Sequence, residues 1–163
     1  MPIGRPSPWL HASAARLLHA ERVLWPGRWS YPADVDMALL HALEPVLRDL
    51  RSCGLPVPEV REAAWVTPDE EAPLMAYAMM WSPDGSGTGI SVSLSDPETD
   101  RVATAADQVQ EWVIEELWRV APTNWPPCPG HPDNHPRVAS TEHGVAAWVC
   151  PQDGAYASPI GSL

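Results

Sequence analysis

The sequence predicts an α+β fold: N-terminal helices, then a three-stranded antiparallel sheet with a flanking helix in α-β-β-β-α order, then a C-terminal hairpin. Three observations carry this. Apolar residues recur at helical spacing in stretches before residue 53 and after residue 104. Between them, short runs alternate with period two. Beyond residue 123, turn-forming residues bracket a pair of β-branched and aromatic runs. The division expected is an α+β domain with its N-terminal helical segment over 1–122 and the hairpin and tail over 123–163.

The first helix is read from "SPWLHASAARLLHAERVLWPG". Ser7 serves as N-cap, Pro8 takes the first helical position, and Leu10, Ala14, Leu17, Leu18 and Leu24 share a face before Pro26-Gly27 ends it. The next stretch has Asp34 and Asp36 as cap candidates and an apolar stripe at Met37, Leu40, Leu43, Leu47 and Leu50. Gly54 and Pro56 stop it. Pro45 inside the stripe removes a backbone donor and crowds the preceding turn, so a kink or a split is expected there.

Three strand-like runs follow, "VREAAWVT", "LMAYAMMWS" and "TGISVSLS", separated by the turn sequences "PDEEAP" and "SPDGSG". In the last run Ile90, Val92 and Leu94 alternate with Ser91, Ser93 and Ser95, as in a sheet with one covered and one wet face. "DPETD" then leads into a short extended piece at Arg101 to Ala103. Thr104 and Asp107 match a capping box, opening a helix whose apolar stripe is Ala105, Val109, Trp112, Val113, Leu117 and Val120, closed by Pro122. Over about residues 34 to 120 this order of elements resembles that of double-stranded RNA-binding domains. The basic cluster of that family is absent, since the matching turn reads "TAADQVQEW", and RNA binding is not carried over.

Charge limits the partners. The formal net charge is −11 and all ten basic residues are Arg. Binding to phosphates draws on Lys and Arg that release counterions, so nucleic acid and anionic membrane are disfavoured and another protein is the expected partner. No secretory leader is visible at the N-terminus, and no window reaches the roughly 18 consecutive apolar residues of a membrane span. A cytoplasmic location with reduced thiols follows as an expectation, which suits an odd set of three cysteines.

The chemistry concentrates in "CPGHPDNHPRVASTEHGVAAWVCPQDG", which holds two of the three cysteines and three of the six histidines. Cys128-Pro129-Gly130-His131 and Cys150-Pro151-Gln152-Asp153-Gly154 are both tight-turn sequences. "HPRVAS" and "VAAWVC" can pair about "TEHG", which returns the second turn to the first. Each turn resembles one half of a zinc ribbon, whose knuckles commonly read Cys-Pro-x-Cys-Gly. The whole segment, about 124–154, resembles a variant zinc-ribbon-like Cys/His module of uncharacterised actinomycete proteins. The resemblance implies Zn2+ as the cofactor and supplies no activity.

The second cysteine of each knuckle is replaced, by His131 and by Asp153. The preferred ligand set is Cys128, His131, His135 and Cys150. Asp153 is the competing fourth ligand, or a group that orients an imidazole, and water is the third possibility. Four protein ligands close the site and make it structural; a water in one position makes it a hydrolase centre, with Glu142 or Asp153 as general base. No HExxH helix supports the hydrolase, the deaminase signature is unmet, and no catalytic residue is assigned. The leading expectation is a zinc-binding protein-interaction or adaptor module.

Other features read as structure. "PDGSGTGIS" lacks the Lys-Ser/Thr ending of a phosphate loop and leads into a strand. His11, His19 and His41 make no compact ligand set, His143 sits at the hairpin tip, and Cys53 precedes the helix-ending Gly54. Trp65, Trp81, Trp112 and Trp118 stand where Phe would fill a core or edge in a chain without Phe. Trp9, Trp25, Trp29 and Tyr31 are candidates for an interface patch.

Overall fold

A computed structural model describes residues 35–63, 74–118, 124–155 and 157–163. The expected first helix, the tryptophan patch at 9–31, Asp34, Trp65, and Val120 with Pro122 lie outside these. The fold class expected from sequence is what the structure shows. Helix α1 (Met37–Ser52) leads to the antiparallel strands β1 (Glu59–Glu62), β2 (Met75–Trp81) and β3 (Gly87–Ser93). Helix α2 (Glu98–Trp118) follows, and then β4 (Val138–Glu142), β5 (Val145–Val149) and the short β6 (Ser158–Pro159). The sheets run β1-β2-β3 and β4-β5-β6, antiparallel throughout.

Helix α1 begins where the carboxylate of Asp36 accepts the Ala38 amide at 2.7 Å, satisfying one of the amides that a helix start leaves without an internal partner. It ends at Cys53, with Gly54 in the left-handed region at φ 66°. Leu39, Leu40, Leu43, Val46, Leu47 and Leu50 are almost fully buried, whereas Met37, expected on the stripe, is 60% exposed. The helix is not split at Pro45. The C-terminal turn covers that residue instead: a β-carbon built on Gly161 would stand 3.1 Å from Pro45 Cβ and 3.2 Å from its Cα.

That close approach, with φ of 94° at Gly161, gives a first prediction. Gly161→Ala should destabilise the protein by about 1–3 kcal/mol, because the methyl group meets both a strained backbone region and a rigid ring. Urea unfolding reads it, and a midpoint unchanged from the parent's would contradict the packing described.

In the first sheet Ala76, Ala78 and Met80 of β2 face the core, and Ala78 pairs with Ile90 and Ala76 with Val92. Small side chains on β2 let α1, which packs on it, come close. The alternation read in β3 holds for Ile90 and Val92, but Leu94 falls past the strand's end. The start of α2 differs from expectation. It lies at Glu98 rather than Thr104, so residues 101–103 are helical and not extended. Pro97 supplies the first carbonyl, accepting from Asp100 N and Arg101 N at 3.1 and 3.0 Å, and Glu98 and Asp100 place negative charge at the positive end of the helix dipole. Thr104 is inside the helix, where its carbonyl accepts from Gln108.

Helix α2 is the element against which the others assemble, packing on α1, β3, β4 and β5. One apolar cluster accordingly joins Leu39, Leu43, Ile90, Val109, Trp112 and Val113 to Trp125, Ala146, Trp148 and Ile160 of the C-terminal segment. Trp125 and Trp148 meet edge to face with centroids 5.3 Å apart. Trp112 is buried as expected and donates to Ser82 Oγ at 3.0 Å, whereas Trp118 is 68% exposed. No helix among the described residues is long and apolar enough to cross a membrane.

Two helix residues fasten the C-terminal segment to the helices, and a third residue ties the segment to itself. Asp49, on the buried side of α1 and fully shielded from solvent, accepts Trp148 Nε1 at 2.8 Å, Gly161 N at 2.7 Å and Leu163 N at 2.8 Å. Gln110 of α2 donates to the carbonyls of Trp125 and Arg137. Arg137, itself buried, reaches Ser158 Oγ. Burial pushes its guanidinium below the usual arginine range, countered by the nearby Cys128, Asp49 and Cys53.

Candidate metal centre

The local folding of the Cys/His segment begins with its hairpin. Strands β4 and β5 pair with Glu142 opposite Val145, leaving a two-residue turn at His143-Gly144. Both turn residues have positive φ, 52° and 79°. That is the mirror-image turn whose twist suits two paired strands, and it places glycine where a side chain costs most. The hairpin is centred as "TEHG" predicted, and His143 is solvent-exposed at its tip.

Two turns stand at the base of the hairpin. In the first, His131 N donates to Cys128 O at 3.1 Å, and Asn134 N to His131 O at 3.1 Å. In the second, Gly154 N donates to Cys150 O at 2.9 Å, and Cys150 N to Ala155 O at 3.1 Å. Pro127 bridges to Pro136, and Arg137 N donates to Pro126 O at 2.8 Å, which closes the loop carrying Cys128, His131 and His135.

The result brings Cys128, His131, His135 and Cys150 together, each offering one donor atom, with all four atoms within 4.8 Å of one another. Sγ of Cys128 lies 3.6 Å from His131 Nδ1, and Sγ of Cys150 lies 3.5 Å from the same nitrogen and 3.8 Å from His135 Nε2. A tetrahedral ion with zinc–sulfur bonds of about 2.3 Å and zinc–nitrogen bonds of about 2.0–2.1 Å requires sulfur–nitrogen separations of about 3.6 Å. The separations present fit such an ion. Both cysteines are buried, at 0% and 1% exposure, and both histidines are half-buried.

The imidazoles are presented differently. His135 Nδ1 lies 2.9 Å from the Pro136 carbonyl, an acceptor, so that nitrogen carries the proton and Nε2 keeps its lone pair toward the cluster. Nδ1 of His131 faces both sulfurs at once. A single imidazole nitrogen can accept from only one thiol, whereas one metal ion satisfies all three atoms.

Of the residues singled out in the sequence, Asp153 is not a member of the cluster. Its Oδ1 accepts the Ala155 amide at 2.9 Å, and that bond, helped by the Cys150 thiol beside it, holds its carboxyl below the usual carboxylate range. Glu142 is at the exposed hairpin end, accepting from Ser140 Oγ at 3.2 Å. Cys53 is exposed, and neither it nor His41 joins the cluster.

The thiol chemistry sets a pH dependence. Burial, and after it the Asp153 carboxylate, push the Cys150 thiol up, so that it keeps its proton at neutral pH when no metal is bound. Coordination takes the thiolate and releases that proton. Apparent zinc affinity should therefore rise with pH, about tenfold per unit for each proton released, and fall equally on acidification. Titration calorimetry in buffers of different ionisation enthalpy counts the protons. An affinity flat between pH 6 and pH 8 would show that no thiol proton is displaced.

Sequence reasoning did not identify Gln110, Asp49 or Arg137 as supports of this region. A signal for the first two was present: each is a polar residue on a buried helix stripe, Gln110 between Ala106 and Val113, Asp49 between Val46 and Leu50. Comparison with known proteins adds nothing to the geometry, since no family model, no curated protein and no solved structure matches the chain significantly.

Proposed function

We propose that this protein is a zinc-binding module in which Cys128, His131, His135 and Cys150 hold a structural Zn2+ in a zinc-ribbon-like arrangement, and that it serves as an interaction or adaptor module for another protein. The observation that supports this most directly is the mutual proximity of the four donor atoms within 4.8 Å. Two thiolates and two neutral imidazoles suit Zn2+ in type and number, and they leave no coordination position for a reacting water. Among the described residues no carboxylate joins the cluster as a general base. A metal closed off in this way stabilises the fold, so the protein's action rests on its surface, which carries a strong negative charge and is suited to a protein partner.

Metal analysis of protein purified without added zinc tests the reading. One zinc per chain is the expected result, and protein that neither retains nor takes up stoichiometric zinc overturns it. Cobalt substitution then distinguishes the site's chemistry. Intense visible bands of a tetrahedral thiolate–imidazole ion, unchanged by added anions, support the structural role. An exchangeable water on the ion supports a hydrolase instead.

A further inference from the structure

We infer that Gln110 is the positioning residue of the metal site, holding the loop that carries three of its four donors at the spacing the ion needs. This rests on the proposal that the cluster binds zinc. The side chain is 5% exposed, and its Nε2 donates to Trp125 O at 2.8 Å and to Arg137 O at 2.6 Å. Those carbonyls bracket the ligand loop, Trp125 lying three residues before Cys128 and Arg137 two after His135. An amide nitrogen has two protons splayed in one plane, so one side chain can grip two acceptors and fix the gap between them. The Pro126–Arg137 hydrogen bond and the Pro127–Pro136 bridge close the same gap from within the loop. Gln110 closes it from α2, which the loop cannot do for itself.

The arrangement makes the metal and the helix mutually dependent. If the clamp favours the spacing that binds zinc, zinc must in turn favour the clamped state, since coupling between two binding events is reciprocal. A buried glutamine that merely satisfied two carbonyls would stabilise the loaded and metal-free proteins alike. The same helix provides the comparison. Gln108, two residues earlier, also hydrogen-bonds through its side-chain amide, to Ser91 N and O of β3 and to Thr104 O of its own helix, away from the cluster.

The test measures zinc affinity by chelator competition for the parent, Gln110→Met and Gln108→Met, each in the full chain. Both variants remove an amide at nearly constant volume. Gln110→Met should weaken zinc binding about tenfold or more, the range for groups that support ligands without touching the metal, and should shift the cobalt spectrum. Gln108→Met should lose comparable thermal stability yet stay within about threefold of the parent's affinity. A Gln110→Met affinity within that margin, or an equal loss in Gln108→Met, overturns the assignment. Should Gln110→Met not fold, the parent decides: the Gln110 side-chain amide protons should exchange with solvent more slowly with zinc than with chelator. Equal exchange in the two states overturns the inference. A parent that binds no zinc overturns the metal reading itself, a distinct outcome from a parent that binds and a variant that binds equally well.

Discussion

Cys150→Ser is expected to lose stoichiometric zinc, its affinity falling by at least about a hundredfold, because groups that only support ligands are already worth about 10- to 100-fold and a direct ligand exceeds them. In excess zinc, a hundredfold loss corresponds to about 2.7 kcal/mol of stabilisation removed, and to a fall in Tm on the order of 10 °C for a chain of this size. The diagnostic is a cycle. Were Cys150 only a small buried group, serine would cost the same with zinc or with chelator. If it is a ligand, the large difference between parent and variant vanishes once metal is withdrawn. Scanning calorimetry in both conditions reads the cycle, and Cys53→Ser, at an exposed position outside the cluster, should behave as the parent.

The second large effect concerns the carboxylate under the hairpin. Asp49→Ala would leave Trp148 Nε1, Gly161 N and Leu163 N without the acceptor they share. Stranding a buried donor costs about 1–3 kcal/mol; the Trp148 bond is buried, and the two backbone bonds are part-buried and cost less. A loss of about 2–4 kcal/mol is expected, with a red shift of Trp148 emission as its indole nitrogen meets water. Unlike Cys150→Ser, the loss should persist after chelation, because the bonds do not involve the metal. Denaturant titration of the chelated protein checks this, and a variant as stable as the parent would show that Asp49 does not hold the segment.

Much of this was legible in the chain, for reasons that differ by element. The period-two pattern of Ile90 and Val92 and the helical stripe through Leu43 and Leu47 follow local rules, as does the turn at His143-Gly144. The Cys/His set was legible because ligand chemistry limits which residues can take part, and the hairpin determines which of them return to one place. The start of α2 was misplaced because Thr104 and Asp107 imitate a cap, while Pro97 sets the start earlier without an obvious polar signature. Pro45 stays inside an unbroken helix, and Gly161, more than a hundred positions away, lies against it. No local pattern announces such a contact. Gln110 and Asp49 belong to the same class: their partners are long-range carbonyls and amides, which every sequence contains and none marks.

The hydrogen bonds between Gln108 and Ser91 have a meaning for the sheet beyond serving as a control. A primary amide offers one donor and one acceptor side by side, as a peptide unit of a neighbouring strand would. By occupying Ser91 N and O at 3.0 and 2.8 Å, the side chain stands in for a fourth strand at one position of the open edge of β3. A second chain approaching that edge finds the middle of the ladder already filled and would have to evict a residue anchored in α2. A side chain thus does for this edge what proteins elsewhere achieve with a bulge, a proline or a charge, making it a poorer template for another strand.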